Sequence, residues 1–340
     1  MYKHLISNKL LKNIKSISIK ISELEKRNFS EPVLAKYELS ANLLSAYSST
    51  SIEGNPLALT EVKKILKSRP SQVRKSEQEV LNYNDCLVWL NSGIKKNNIH
   101  FNYEIVLKIH KIVMKDLISK GSAGKIRNEP VFVNDPKLRK TIYWPPDHQE
   151  VPTLLKELFA FVKKNEEEMD PLILAGIFHK QFVVIHPFID GNGRSVRLAT
   201  KVLLAKLGIN TFNLFSFENY YNRNVSRYFA NVGVMGNYYD VVEKLDFTQW
   251  LEYFSDGILD ELSRVQKDLE NEIKTPTDLI TSHQELILNY IRKYGFIRDK
   301  DYAKLTDRAK ATRTLDFKKL IEQGYIERHG KGPTVFYKFK

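Results

Sequence analysis

The sequence predicts a mainly α protein with one small β-hairpin and a separate helical module at its C-terminal end. Three observations lead there. Apolar residues recur at helical spacing over most of residues 1–100, among many Lys and Glu. An unusually apolar segment follows Asp170-Pro171. Residues that favour strands are confined to a few short runs bounded by turn residues.

Taken in order, Leu34, Tyr37, Ala41 and Leu44 mark one helical face, and Leu59, Val62, Ile65 and Leu66 mark another. Residues 103–117 and 152–164 read as further amphipathic helices. Between them lies Gly124-Lys125-Ile126-Arg127. Val131-Phe132-Val133 and Thr141-Ile142-Tyr143-Trp144 then flank the polar Asn134-Asp135-Pro136, the pattern of a hairpin. Asp170 suits a helix N-cap, with Pro171 at the first helical position. From Leu172 to Ile185 that helix is apolar on nearly every side, so it belongs in a core. Pro187 ends it, because the residue before a proline is pushed out of helical geometry. A second helix is expected from about Arg194 to Leu207, stopped by Gly208. Residues 219–239, rich in Tyr, Asn and Arg, read as a polar surface helix. Phe247, Trp250, Leu251 and Phe254 fall on the helix that closes the main domain, and residues 256–273 continue as a charged helix.

Lys274-Thr275-Pro276-Thr277 is the expected linker. Beyond it come helices at 283–293, 301–305 and 309–322. Strands at Tyr325-Ile326 and Val335-Phe336-Tyr337 follow, around Gly330-Lys331-Gly332-Pro333. This order resembles a winged helix. Residues 281–340 hold 14 Lys/Arg and 7 Asp/Glu, a net +7 of the chain's +13. Such a module can bind DNA through phosphates, with Lys310, Arg313 and Lys331 as contacts. The expected regions are therefore 1–100, a helical N-terminal part; 101–274, the core; and 275–340, the winged-helix-like module.

Composition sets outer bounds. In 340 residues, 42% are hydrophobic, enough for a sizeable core. The single cysteine, Cys86, cannot form an intrachain disulfide, which fits a reducing compartment. No apolar run reaches the roughly 20 residues that span a bilayer, and Met1-Tyr2-Lys3-His4-Leu5 opens no signal core. The expectation is a cytoplasmic protein with no membrane partner.

The chemistry is concentrated in residues 186–197, His-Pro-Phe-Ile-Asp-Gly-Asn-Gly-Arg-Ser-Val-Arg. Gly191 and Gly193 permit backbone angles closed to other residues. Consecutive N–H groups at the start of the second helix can then face an anion, reinforced by the helix dipole. Arg194 and Arg197 stand three apart and can reach one anion, and the guanidinium fork suits phosphate oxygens. Asp190 offers a hard oxygen ligand for Mg²⁺. His186 is the natural general base.

This stretch resembles the signature of the Fic family, HPFx(D/E)GNGRxxR, and matches it at every position. The resemblance implies a mostly helical fold and transfer of AMP from ATP to a hydroxyl side chain of a target protein. By position, His186 would deprotonate that hydroxyl, and Asp190 would hold Mg²⁺. Asn192 and the Gly191 and Gly193 backbone would hold the phosphates. Arg194 would bind the α/β-phosphates and Arg197 the γ-phosphate, while Phe188 anchors the loop. Upstream, Ser49-Thr50-Ser51-Ile52-Glu53-Gly54-Asn55 resembles the family's inhibitory motif (S/T)xxxE(G/N), with Ser49, Glu53 and Gly54 on the defining positions. There Glu53 would pair with Arg197 and keep it from the γ-phosphate. The hairpin near 131–143 would be the flap along which the target protein lies, and residues 219–239 would have an adenosine-contacting role as their alternative. Self-modification is a further outlet.

Other readings keep part of this picture. One is a DNA-binding transcriptional regulator whose nucleotide site senses ATP. Another keeps the fold but uses a different phosphate-containing donor, or removes AMP with Glu53 helping a water attack.

Overall fold

The computed structural model describes residues 2–26, 29, 31–135, 140–210, 213–214, 216–273 and 281–340. Its helices in the first part are α1 (Asn8–Glu25), α2 (Glu31–Ile52), α3 (Leu59–Ser68), α4 (Lys75–Lys95) and α5 (Tyr103–Val113). Strands β1 (Val133–Asp135) and β2 (Lys140–Trp144) follow. Next come α6 (Val151–Asn165), α7 (Pro171–Ile185), α8 (Asn192–Lys206), α9 (Glu218–Asn222) and α10 (Val225–Val232). A short strand β3 (Gly236–Asn237), a helical turn α11 (Tyr238–Val241) and the long α12 (Thr248–Ile273) complete this part. The last residues form α13 (Ser282–Tyr294), α14 (Asp299–Tyr302), α15 (Lys310–Glu322), β4 (Ile326–His329) and β5 (Phe336–Phe339). The fold class is mainly α, as the periodicity indicates. The chain divides into two compact units: Met1–Leu24 with Asn42–Ser263, and Glu25–Ala41 with Arg264–Lys340.

The core of the first unit is built on α7. Asp170 caps it by accepting from the N–H groups of Leu172 and Ile173, with Pro171 at the first position. Every α7 residue except Pro171 and Val183 is buried. α8 packs along it, and α5 and α6 flank the pair. Trp250 of α12 donates its indole N–H to the Gly176 carbonyl at 2.7 Å. Gly176 has no room for a Cβ there, which would lie 2.6 Å from Leu251.

The hairpin exists, with two differences from the sequence expectation. Asn134 and Asp135 belong to β1 rather than to the turn, and the Thr141 hydroxyl donates to the Asn134 side chain across the pair. Pro136 lies outside the described residues. A third strand, β3, pairs parallel with β2 through Tyr143↔Gly236. Tyr143, buried, donates its hydroxyl to the Val184 carbonyl and so pins this sheet to α7. The polar helix expected over 219–239 is instead α9, α10 and β3 in succession. Asn224 and Asn237 each cap a new element, because an Asn side chain accepts from the backbone two or three residues on. The helix closing this part runs unbroken through Ile273. The expected linker at 274–277 lies outside the described residues.

The second unit has its own core, made of Ile287, Leu288, Ile291, Ile297, Tyr302, Phe317, Leu320 and Ile326. β4 and β5 form an antiparallel hairpin, and Ile297 bridges to Tyr337 beside it. Among the described residues no helix is long and apolar enough to cross a membrane.

Candidate active site

The site sits where α7 gives way to α8. His186 caps α7 with φ 51 and ψ 59, the left-handed region. A side chain there costs about 1–2 kcal/mol, so the surroundings must hold it. Arg127, buried, does so: its Nε donates to the His186 carbonyl at 2.8 Å and its Nη2 to the Pro146 carbonyl at 2.6 Å. Its backbone N–H donates to the Pro187 carbonyl at 2.9 Å. His186 Nδ1 lies 3.2 Å from the Val183 carbonyl, which can only accept. The proton is therefore on Nδ1, and Nε2 keeps its lone pair. Burial pulls this imidazole down to about 4, so it is neutral at pH 7. A neutral imidazole with a free Nε2 is what a general base requires.

The loop from Pro187 to Gly191 is closed by Asn192. Its Oδ1 accepts from Phe188 N–H at 2.9 Å and its Nδ2 donates to the Phe188 carbonyl at 2.8 Å. That clasp uses Oδ1 and one of the two Nδ2 protons, and the Asn192 backbone N–H stands at the start of α8. Phe188 is fully buried and stacks on His110, ring centroids 3.7 Å apart. His110 accepts from Gly124 N–H on Nδ1, so its Nε2–H donates to the Asp190 carbonyl at 3.0 Å. Gly191 has φ 78, and a Cβ there would meet Met114 Sδ at 2.4 Å. α8 begins at Asn192, two residues earlier than expected, with Gly191 as a cap that offers no side chain. Its first-turn N–H groups are therefore open to a ligand.

Both arginines of α8 are buried and paired. Arg197 Nη2 donates to Glu53 Oε1 at 2.7 Å and to the Ser49 carbonyl at 2.9 Å, and its Nε donates to Ser49 Oγ at 2.8 Å. Gly54, φ 90, turns the chain directly after Glu53. A Cβ on Gly193 would lie 2.1 Å from Glu53 Oε1, so this carboxylate rests against the N-terminus of α8. Arg194 Nη2 donates to Asp190 Oδ1 at 3.0 Å, and Nη1 to Glu79 of α4. Its Nε–H is buried with no partner among the described residues. Glu79 Oε2 also accepts from Asn55 Nδ2 at 2.7 Å.

The structure thus brings together every residue expected at the site: His186, Asp190, Gly191, Asn192, Gly193, Arg194 and Arg197, with Ser49, Glu53 and Gly54 laid over them. Residues 100–204 match the model of the Fic/DOC family. These residues form a Fic/DOC domain. Protein adenylyltransferase Fic of Nematostella vectensis is 30% identical over 169 residues, 48% of this chain and 37% of that protein. Protein adenylyltransferase fic-1 of Caenorhabditis briggsae is 28% identical over 60% of this chain and 39% of that protein. The chain spans about two fifths of the length of these curated relatives. A Fic family protein from Desulfovibrio desulfuricans superposes with a TM-score of 0.65 over 100% of this chain and 98% of that one, at 19% identity. Fic-1 of Caenorhabditis elegans, residues 134–508, gives 0.60 over 77% and 73%, at 21% identity.

Around the Fic motif the sequence reading missed Glu79, His110, Arg127 and Tyr228. Arg127 stood in the noted Gly124–Arg127 run but carried no role. The signal for Glu79 was a carboxylate four residues before Tyr83, on the inward face of α4. In the C-terminal unit Arg313 is paired with both Asp299 oxygens at 2.9 Å and donates to the Arg308 carbonyl. Lys310 and Lys331 are exposed.

Proposed function

We propose that this chain is a protein adenylyltransferase, transferring AMP from ATP to a Tyr, Thr or Ser hydroxyl of a target protein and held back by its own Glu53. The observation that carries the reading is the 2.7 Å pair between Glu53 and Arg197, set against an otherwise complete anion cradle. In this reading His186 Nε2 takes the target's proton while the hydroxyl oxygen attacks the α-phosphate. The new P–O bond forms as the α–β bridging bond breaks, and pyrophosphate leaves. Arg194 and the backbone N–H groups of Asn192 and Gly193 receive the α/β-phosphates, joined by the Gly191 N–H when it leaves Asp190 Oδ1, and Arg197 receives the γ-phosphate.

Asp190 would hold Mg²⁺. Its side chain is half exposed, and no hydrogen bond to its Oδ2 is found among the described residues. No group of three or more ligating side chains lies among those residues. One carboxylate completed by phosphate oxygens suits a cation that usually binds in that way. When bound, the ion neutralises phosphate charge.

The target lies along the flap, residues 131–143, and the chain itself is a second acceptor. Residues 1–100 serve as the inhibitory part, 101–274 as the catalytic core and 275–340 as a winged-helix-like module. Exposed Lys310 and Lys331 support a nucleic-acid face on that module. The lone, buried Cys86 supports a cytoplasmic location. Incubation with ATP labelled at the α-phosphate and Mg²⁺ tests the central reading. Label and an added AMP mass on protein, with Glu53→Gly exceeding the parent, is the expected result. Absence of AMP from every protein offered, in both forms, would overturn it.

A further inference from the structure

Arg197 is fully enclosed, and three of its hydrogen bonds go to residues of the inhibitory motif, Ser49 and Glu53. When that motif withdraws, those three are lost together. One polar partner of the guanidinium belongs instead to the domain behind it. Arg197 Nη1 lies 3.4 Å from the Tyr228 hydroxyl. Arginine only donates, so the Tyr228 oxygen accepts there, and its single proton is directed to His179 Nε2 at 3.2 Å. A neutral His179 then carries its proton on Nδ1 and donates to Thr200 Oγ1 at 3.0 Å. The run Arg197 → Tyr228 → His179 → Thr200 therefore has a single sense. Every member is at most 1% exposed. Tyr221 stacks on Tyr228 at 4.9 Å and Trp250 lies 5.0 Å from His179, so neither ring has room to turn away. Burial and the neighbouring Arg197 both hold His179 uncharged.

We infer that Tyr228, oriented by His179 and Thr200, is a positioning residue that holds the Arg197 guanidinium in place once Ser49 and Glu53 release it, and that it thereby sets the preference for a nucleoside triphosphate over a diphosphate. The inference rests on the reading of Arg197 as the γ-phosphate ligand. ADP lacks that phosphate, so the two nucleotides separate a role in positioning Arg197 from a general role in the fold.

The test measures ATP and ADP affinities by calorimetry in the full chain carrying Glu53→Gly. Tyr228→Phe removes the hydroxyl and keeps the ring. It should weaken ATP about tenfold and leave ADP within about twofold, and it should have no further effect once Arg197→Ala is present. Thr200→Val, at the far end of the chain and nearly isosteric, should move the ratio in the same direction by less. Equal loss of ATP and ADP, or no loss of either, in a Tyr228→Phe protein that melts like its parent would overturn the inference. Should Tyr228→Phe fail to fold, Thr200→Val decides on the same ratio: lost ATP preference supports the inference, and an unchanged ratio sinks it. If Arg197→Ala itself leaves the ratio unchanged, the γ-phosphate reading fails, and this is seen independently of Tyr228.

Discussion

Arg197 and Glu53 stand 144 residues apart in the chain and 2.7 Å apart in space. Arg197 is wholly enclosed, whereas the Glu53 side chain keeps 27% of its surface exposed. The pair is therefore one-sided. The arginine is fixed and its carboxylate stands at the surface, so the partner that can leave is Glu53.

Glu53→Gly should accordingly raise ATP affinity and transfer. A hydrogen bond between charged groups is worth about 1.5–3 kcal/mol, so a gain of about tenfold or more is expected, read by calorimetry and by α-labelled ATP. A variant that binds ATP and modifies protein no better than its parent would remove Glu53 from the inhibitory role.

Gly193→Ala offers a second route to the same contact. Its Cβ would meet Glu53 Oε1 at 2.1 Å and Arg197 Nη1 at 3.0 Å. The carboxylate must shift, so the gain from Glu53→Gly should be smaller in the Gly193→Ala background than in the parent. Identical gains in both backgrounds would mean that the collision is relieved elsewhere.

His186 should set the acid limb of the rate. Its imidazole is pulled down to about 4 by burial, so it is neutral throughout pH 5–8 and becomes charged only below that range. In Glu53→Gly, transfer should hold level from pH 7 to about 5 and fall near 4. His186→Ala should cost about 10²–10⁴-fold without loss of ATP binding.

His110 should leave a mark on stability. Burial pulls it down to about 4, against an ordinary 6.5 in the unfolded chain. Between those values the unfolded state binds more protons, so the contribution is complete above pH 6.5 and is lost as pH falls to about 4. The loss is at most about 3 kcal/mol. Melting temperatures of the parent should fall more steeply over that window than those of His110→Gln.

Glu79→Ala should destabilise the protein by about 2 kcal/mol, because it strips a partner from the buried Arg194. For a unit of this size that corresponds to a melting temperature lower by about 4–8 °C. Retention of the parent's melting temperature would show that Asp190 alone satisfies Arg194.

Much of this was legible in the chain. Helices α5, α6 and α7 follow from spacing and from Asp170-Pro171, because a cap and a buried face are local properties. The site residues share one twelve-residue stretch, so their proximity needed no fold to reveal it. The partners that hold them did not. Glu79, His110, Arg127 and Tyr228 reach the site from α4, α5, the approach to the hairpin and α10, and nothing in a linear sequence marks which buried polar group faces which. The expected helix over 219–239 failed for a related reason. Asn224 and Asn237 can cap a new element as readily as they can sit on a helix surface, and β3 exists because β2 is there to pair with it. Arg313 is a similar case: its partner Asp299 lies fourteen residues away, and nothing in the sequence pairs them.

The Arg127 side chain has a wider consequence. It lies just before the hairpin, grips Pro146 just after it, and holds the carbonyl of His186. Both stems of the hairpin and the His186 imidazole thus share one fixed origin. The stretch in between, Tyr143 apart, can be rewritten without disturbing that origin. If the hairpin receives the target and His186 reacts, as proposed, recognition and reaction can evolve separately, and the boundary between them is held by two side chains, Arg127 and Tyr143.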